Sequence, residues 1–124
     1  MTIISKKTYD LEERTYNFAK ELIDFTYELS RTIPNIEMIK QVVRSAGSIG
    51  ANYIEANEAL SKKDFAMRIK ICRKETKETI YWLKLIQIKE KEFEPKRTAL
   101  INEASELMKI FGAIVIKTEM QSTK

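Results

Sequence analysis

The chain has 124 residues, with one cysteine, no histidine, three glycines and two prolines. That composition excludes an internal disulfide framework and a Cys/His metal site, and it removes the commonest general base and the usual nucleophilic triads. So few turn residues, with 32% charged and 44% hydrophobic residues, argue against a β-sandwich or barrel and for one helical domain over residues 1–124.

The first predicted helix runs from about Asp10 to Ser30. Asp10 is the candidate N-cap, and Glu12 and Glu13 suit the positive end of the helix dipole. Leu11, Thr15, Phe18, Leu22, Phe25 and Leu29 recur at alternating spacings of four and three, an a/d seam. Tyr16, Ala19, Ile23 and Tyr27 widen the apolar face. Pro34 then fixes φ and pushes Ile33 out of the helical region, so a second helix starts near Pro34 or Asn35.

The second helix is expected to reach about Leu60. One seam is Ile36, Ile39, Val43, Ala46, Gly50, Tyr53, Asn57 and Leu60. A second is Val42, Ile49, Ile54 and Ala56, so two sides face neighbours. Ser61 is the candidate N-cap of a third helix, with Asp64 three residues on. Phe65, Ile69, Cys72, Thr76, Thr79, Leu83 and Ile86 form its seam. Met67, Ile71, Tyr81, Trp82, Leu85 and Ile88 lie beside it, and the helix is expected to end near Lys91. Glu94-Pro95 starts a fourth helix, with Leu100, Ala104, Leu107, Phe111 and Ile114 in its seam. Ile101, Met108, Ile110, Val115 and Ile116 add apolar surface, Met120 extends it, and residues 121–124 are expected to fray.

The links are short, which forces neighbouring helices to be antiparallel. The expected fold is all-α, an antiparallel up-down-up-down four-helix bundle. No run of about 18 apolar residues exists, so no membrane span is expected. The opening MTIISKKTYD has lysines after a very short apolar patch, unlike a secretory signal. A cytoplasmic protein is expected.

The segment RSAGSIGANYIEANEA, residues 44–59, holds two of the three glycines. Each glycine inside a helix costs about 1 kcal/mol relative to alanine. A turn at Gly47 would cut a seam that stays in phase from Ile36 to Leu60. Ala46, Gly47, Ser48, Gly50 and Ala51 therefore read as a helical surface with little bulk, where another backbone can approach. That backbone belongs either to the same bundle or to another subunit. Ala46, Gly47, Gly50, Ala51, Tyr53 and Trp82 are the candidate helix or subunit interface. Trp82, the only tryptophan, is either core or an interface anchor.

Net charge is +4, but it is unevenly spread. Residues 10–31 hold six acids against three bases, while residues 62–91 hold ten bases against four acids. Lys63, Lys70, Arg73, Lys74 and Lys77 form a positive stripe on the third helix, opposite its apolar seam. It is either a solvated face or a phosphate-contacting one, and these five are the candidate RNA or DNA contacts. The sequence shows no aromatic-rich platform of the RNA-recognition type, so any such binding is expected to be mostly electrostatic. Glu75 and Glu78 interrupt the stripe and are available to neighbouring lysines. Asn52 and Glu55 share a face, and Arg44 and Arg68 are candidate ion-pair partners of Glu55. Cys72 reads as a small core residue with no accompanying base. No catalytic residue, metal site or cofactor is assigned, because carboxylate bundles that bind di-iron need Glu-x-x-His.

Residues 41–86, QVVRSAGSIGANYIEANEALSKKDFAMRIKICRKETKETIYWLKLI, resemble the bacterial four-helix-bundle family linked to intervening sequences in 23S ribosomal RNA genes. Arg44, Ser45, Ser48, Ile49, Asn52 and Glu55 fit the first part of its pattern. Lys63, Asp64 and Phe65 fit the second, and Lys74, Glu75, Glu78, Trp82 and Leu83 the third. Phe18, Ala19, Leu22 and Pro34 fit a weaker pattern in the first helix. The resemblance implies an antiparallel bundle assembled into a homopentameric ring. A more distant branch is the accessory protein of diversity-generating retroelements, a basic barrel that binds a reverse transcriptase and nucleic acid. This chain differs from it in its modest charge and acidic first helix. Two functions are thus in view: a self-assembling, non-enzymatic bundle that contacts nucleic acid, or an assembly scaffold that binds only protein.

Overall fold

The computed structural model describes residues 3–122, with side chains from Leu11 to Gln121. Helix α1 spans Ile3–Tyr27, α2 Ile33–Asn57, α3 Lys62–Leu85 and α4 Glu94–Ser122. A short 3₁₀ turn, Lys91–Phe93, leads into α4.

Local chemistry sets most of the boundaries. Thr32 caps α2, its hydroxyl accepting the Asn35 N–H at 3.3 Å, and Pro34 sits in the first turn. Ser61 caps α3 as expected, accepting the Asp64 N–H at 3.1 Å. Other boundaries differ from expectation: α1 ends at Tyr27, and α2 begins at Ile33 itself and stops at Asn57, short of Leu60. Helix α1 begins at Ile3, so Asp10 lies within it and does not cap it. Helix α3 stops at Leu85, not near Lys91, because Ile86 turns extended at ψ 131°. Arg97 of α4 donates to the carbonyls of Leu83 and Ile86 and so occupies acceptors that the ended helix leaves open. Helix α4 continues to Ser122; the remainder of the stretch expected to fray lies outside the described residues.

Each helix packs on its chain neighbours, α4 also packs on α1, and the diagonal pairs α1/α3 and α2/α4 make no comparable contact among the described residues. This is an all-α, antiparallel up-down-up-down four-helix bundle. Phe18, Leu22, Ile49, Ile69, Leu83, Leu107 and Phe111 are among its fully buried side chains. Tyr53 meets Phe111 across the core, ring centroids 6.2 Å apart.

The seams of α1, α3 and α4 follow the expected spacing, but α2 does not. Its buried line is Val42, Ala46, Ile49, Tyr53 and Ala56, combining members of both predicted seams. Ile36, Ile39 and Val43 are half-buried, and Asn57 and Ile54 are exposed. Leu60 is 98% exposed because α2 has ended before it. Tyr16 and Tyr27 are exposed too, so they do not widen the buried face of α1.

Asn35 ties the two turns at one end of the bundle. Its Nδ2 donates to the Ser30 carbonyl at 3.1 Å and the Gln87 carbonyl at 2.8 Å, and its Oδ1 accepts the Gln87 N–H at 2.8 Å. The sequence pattern marks Asn35 only as a helix start; its burial and its partner 52 positions away are set by the tertiary fold.

Candidate nucleic-acid interface

Helix α3 turns the seam of Ile69, Cys72, Thr76, Thr79 and Leu83 inward and thereby leaves its basic residues on the opposite side, while Met67, Tyr81 and Leu85 stay exposed. Lys63, Lys70, Arg73, Lys74 and Lys77 are all exposed there. Lys70 pairs with Glu119 of α4 at 2.8 Å, and Lys74 lies 4.0 Å from Glu78. Lys63, Arg73 and Lys77 have no carboxylate partner among the described residues. The Arg73 side chain reaches towards Gly112 of α4, where its Nε would stand 3.7 Å from an added Cβ. Lys84 continues the exposed stripe beyond Lys77.

Tyr81 stands among these lysines and is 58% exposed. Lys77 lies one turn before it and Lys84 three residues after, so both neighbour it on the helix surface. The Tyr81 ring meets Trp82 edge-on, centroids 5.0 Å apart and planes at 70°. Trp82 itself is half-buried against the core, with its indole nitrogen enclosed.

The two glycines separate. A Cβ on Gly50 would lie 3.1 Å from Thr15 Oγ1, so Gly50 faces α1 of the same chain. A Cβ on Gly47 would meet nothing within 4 Å, and Ala51 is exposed beside it. Ala46 and Tyr53 are buried within the bundle.

The acids that interrupt the stripe also separate. Glu75 is only 8% exposed and points towards α2, where its Oε2 lies 3.7 Å from Arg44. Arg44 also lies 3.6 Å from Glu78. Arg44 therefore pairs with these acids and not with Glu55. Arg68 instead donates to Asn52 Oδ1 at 3.1 Å, and the Asn52 amide donates to the Ser48 carbonyl at 2.9 Å. Ser45 and Thr79 share a hydrogen bond of 2.8 Å inside the same seam. Burial pushes the Cys72 thiol up to about 12, and its Sγ donates to the Ile49 carbonyl at 3.5 Å. An enclosed thiol held protonated is a poor nucleophile. Among the described residues no group of three or more acids or cysteines is arranged to hold a metal, and no helix is long and apolar enough to cross a membrane.

The fold and this seam define the class: an all-helical bundle whose α2–α3 pair carries Arg44, Ser45, Asn52, Glu75 and Glu78 in mutual or cross-helix contact. A family profile described as "23S rRNA-intervening sequence protein" matches residues 7–113, and the chain belongs to that family. A solved structure from Bacteroides thetaiotaomicron is similar, at 28% identity and a TM-score of 0.73. The alignment covers 88% of this chain and 97% of that one. That protein is described as one of unknown function from the S23 ribosomal protein family. Among curated proteins no match is found.

Proposed function

We propose that the protein is a non-enzymatic, cytoplasmic, self-assembling four-helix bundle that contacts RNA or DNA through the outward face of α3. The observation that carries this reading is the row of five exposed bases, three of them without a carboxylate partner among the described residues. Phosphates suit such a row because each neutralised phosphate releases counterions, which also makes binding fall steeply with salt. The assembly is a homo-oligomer, a pentameric ring by family resemblance.

The test is titration of labelled RNA at rising salt, with the wild type and with Lys70, Arg73, Lys74 and Lys77 all reversed to glutamate. Wild-type binding that weakens steeply with salt and disappears in the variant supports the reading; unchanged binding in the variant overturns it. Light scattering in the absence of RNA tests assembly, since a ring has several times the 14.5 kDa of one chain and a clean monomer would remove that part.

The second reading is an assembly scaffold that binds only protein partners. Gly47, Ala51 and Ile54 favour it: they share one exposed side of α2, and no atom lies within 4 Å of an added Cβ at Gly47.

A further inference from the structure

We infer that Tyr81 is a stacking platform and that the ligand of the α3 face is single-stranded nucleic acid. This rests on the basic-face reading above and extends it from charge to ligand class. A solvated lysine face needs no aromatic ring, yet Tyr81 is 58% exposed between Lys77 and Lys84, at the end of the stripe and one turn beyond Glu78. Its ring packs edge-on against Trp82, centroids 5.0 Å apart, and Trp82 is itself packed against the core. The exposed ring is therefore supported from one side by a half-buried neighbour. Lys77 and Lys84 flank it on the same face, with Lys74 one turn further on. That is the arrangement that single strands use, in which cations follow the backbone and an aromatic face takes a base. A duplex cannot use it, since its bases are already stacked and paired.

The experiment uses the whole chain, a labelled oligouridylate of about 15 nucleotides and an RNA duplex of similar length, with Tyr81→Ala and Tyr81→Phe. Tyr81→Ala is expected to weaken the single strand by about 5- to 150-fold while keeping the salt slope, because no phosphate contact is lost. Tyr81→Phe retains the ring and should stay within about twofold of wild type, as should duplex binding by either variant. Trp82 is the only tryptophan, so its fluorescence should change on adding the single strand and not the duplex. Wild-type affinity for the single strand in Tyr81→Ala would overturn the stacking proposal while leaving the basic face intact. Absence of wild-type binding at low salt would overturn both. If reversing Lys70, Arg73, Lys74 and Lys77 lowers the mass of the nucleic-acid-free protein, the face is occupied by a second copy and the proposal falls.

Discussion

The α2–α3 seam and the packing of α1 are built differently. Helices α2 and α3 are joined by polar contacts that reach inside. Ser45 meets Thr79, Cys72 meets the Ile49 carbonyl, and Arg44 reaches Glu75 from the rim. Helix α1 packs less extensively, through Phe18, Leu22 and Phe25. Its polar ties are at the surface or half-buried: Arg14 grips Glu103 with two bonds of 2.7 and 2.9 Å, Asn57 donates to Glu12 at 2.8 Å, and just past its end Glu28 pairs with Lys96 at 2.8 Å. Apolar packing tolerates small shifts of register, whereas a buried hydrogen bond between two hydroxyls does not. The α2–α3 pair is thus the fixed half of the bundle, and α1 is the helix laid onto it.

The largest expected effect concerns Cys72, at the centre of that fixed half. With the thiol pushed up to about 12 from 9.0, its thiolate at pH 8 is scarcer by roughly 1,000-fold than in the unfolded chain. Alkylation should be slower by at least that factor in the folded protein; brisk labelling of the folded state would show that the seam opens readily. The linkage has a definite sign. The folded thiol keeps its proton to higher pH, so its contribution to stability is full below about 9 and is lost as pH rises towards about 12.

Next is Asn35→Ala. It removes three bonds and leaves the Gln87 N–H and carbonyl without their partner. A loss of about 2–4 kcal/mol is expected in urea unfolding. A change below about 0.5 kcal/mol would mean that the two turns are held by packing alone.

The smallest effect separates the two glycines and tests α1 directly. Gly47→Ala adds a methyl group to open space and should stabilise by up to about 1 kcal/mol through helix propensity. Gly50→Ala should be less stable than Gly47→Ala by about 1 kcal/mol or more. Its methyl group presses on Thr15 Oγ1, which is held by the Leu11 carbonyl at 2.8 Å. Equal stabilisation in both variants would show that α1 yields at no cost, which would widen the contrast between the two halves.

Much of this was legible in the chain. Alternating spacings of three and four placed Leu11, Phe18, Leu22, Ile69, Cys72, Leu83, Leu107 and Phe111 in the core, and all are buried. Ser61 and Pro34 marked helix starts because capping and proline geometry act within a few residues. The same local rules placed the five bases of α3 on the side opposite its seam. Other features were not legible. Two lines on α2 shared the same period, and only the positions of the neighbouring helices selected Val42, Ala46, Ile49, Tyr53 and Ala56. Glu75 reads as one more surface acid until Arg44 is placed across from it. Tyr81 and Trp82 are adjacent in sequence, and periodicity alone did not mark one as exposed and the other as half-buried.

The sequence by itself determined four helices, their antiparallel order and the side of α3 that carries charge. These follow from periodicity, caps and short links, each of which acts over one or two turns. The tertiary structure decided which flank of α2 is buried, that Gly50 lies against Thr15 while Gly47 stays open, and that Arg44 meets Glu75 and Glu78. Those outcomes depend on how the helices are rotated about their own axes. That rotation is set by the fit of side chains far apart in the chain, which no local pattern encodes.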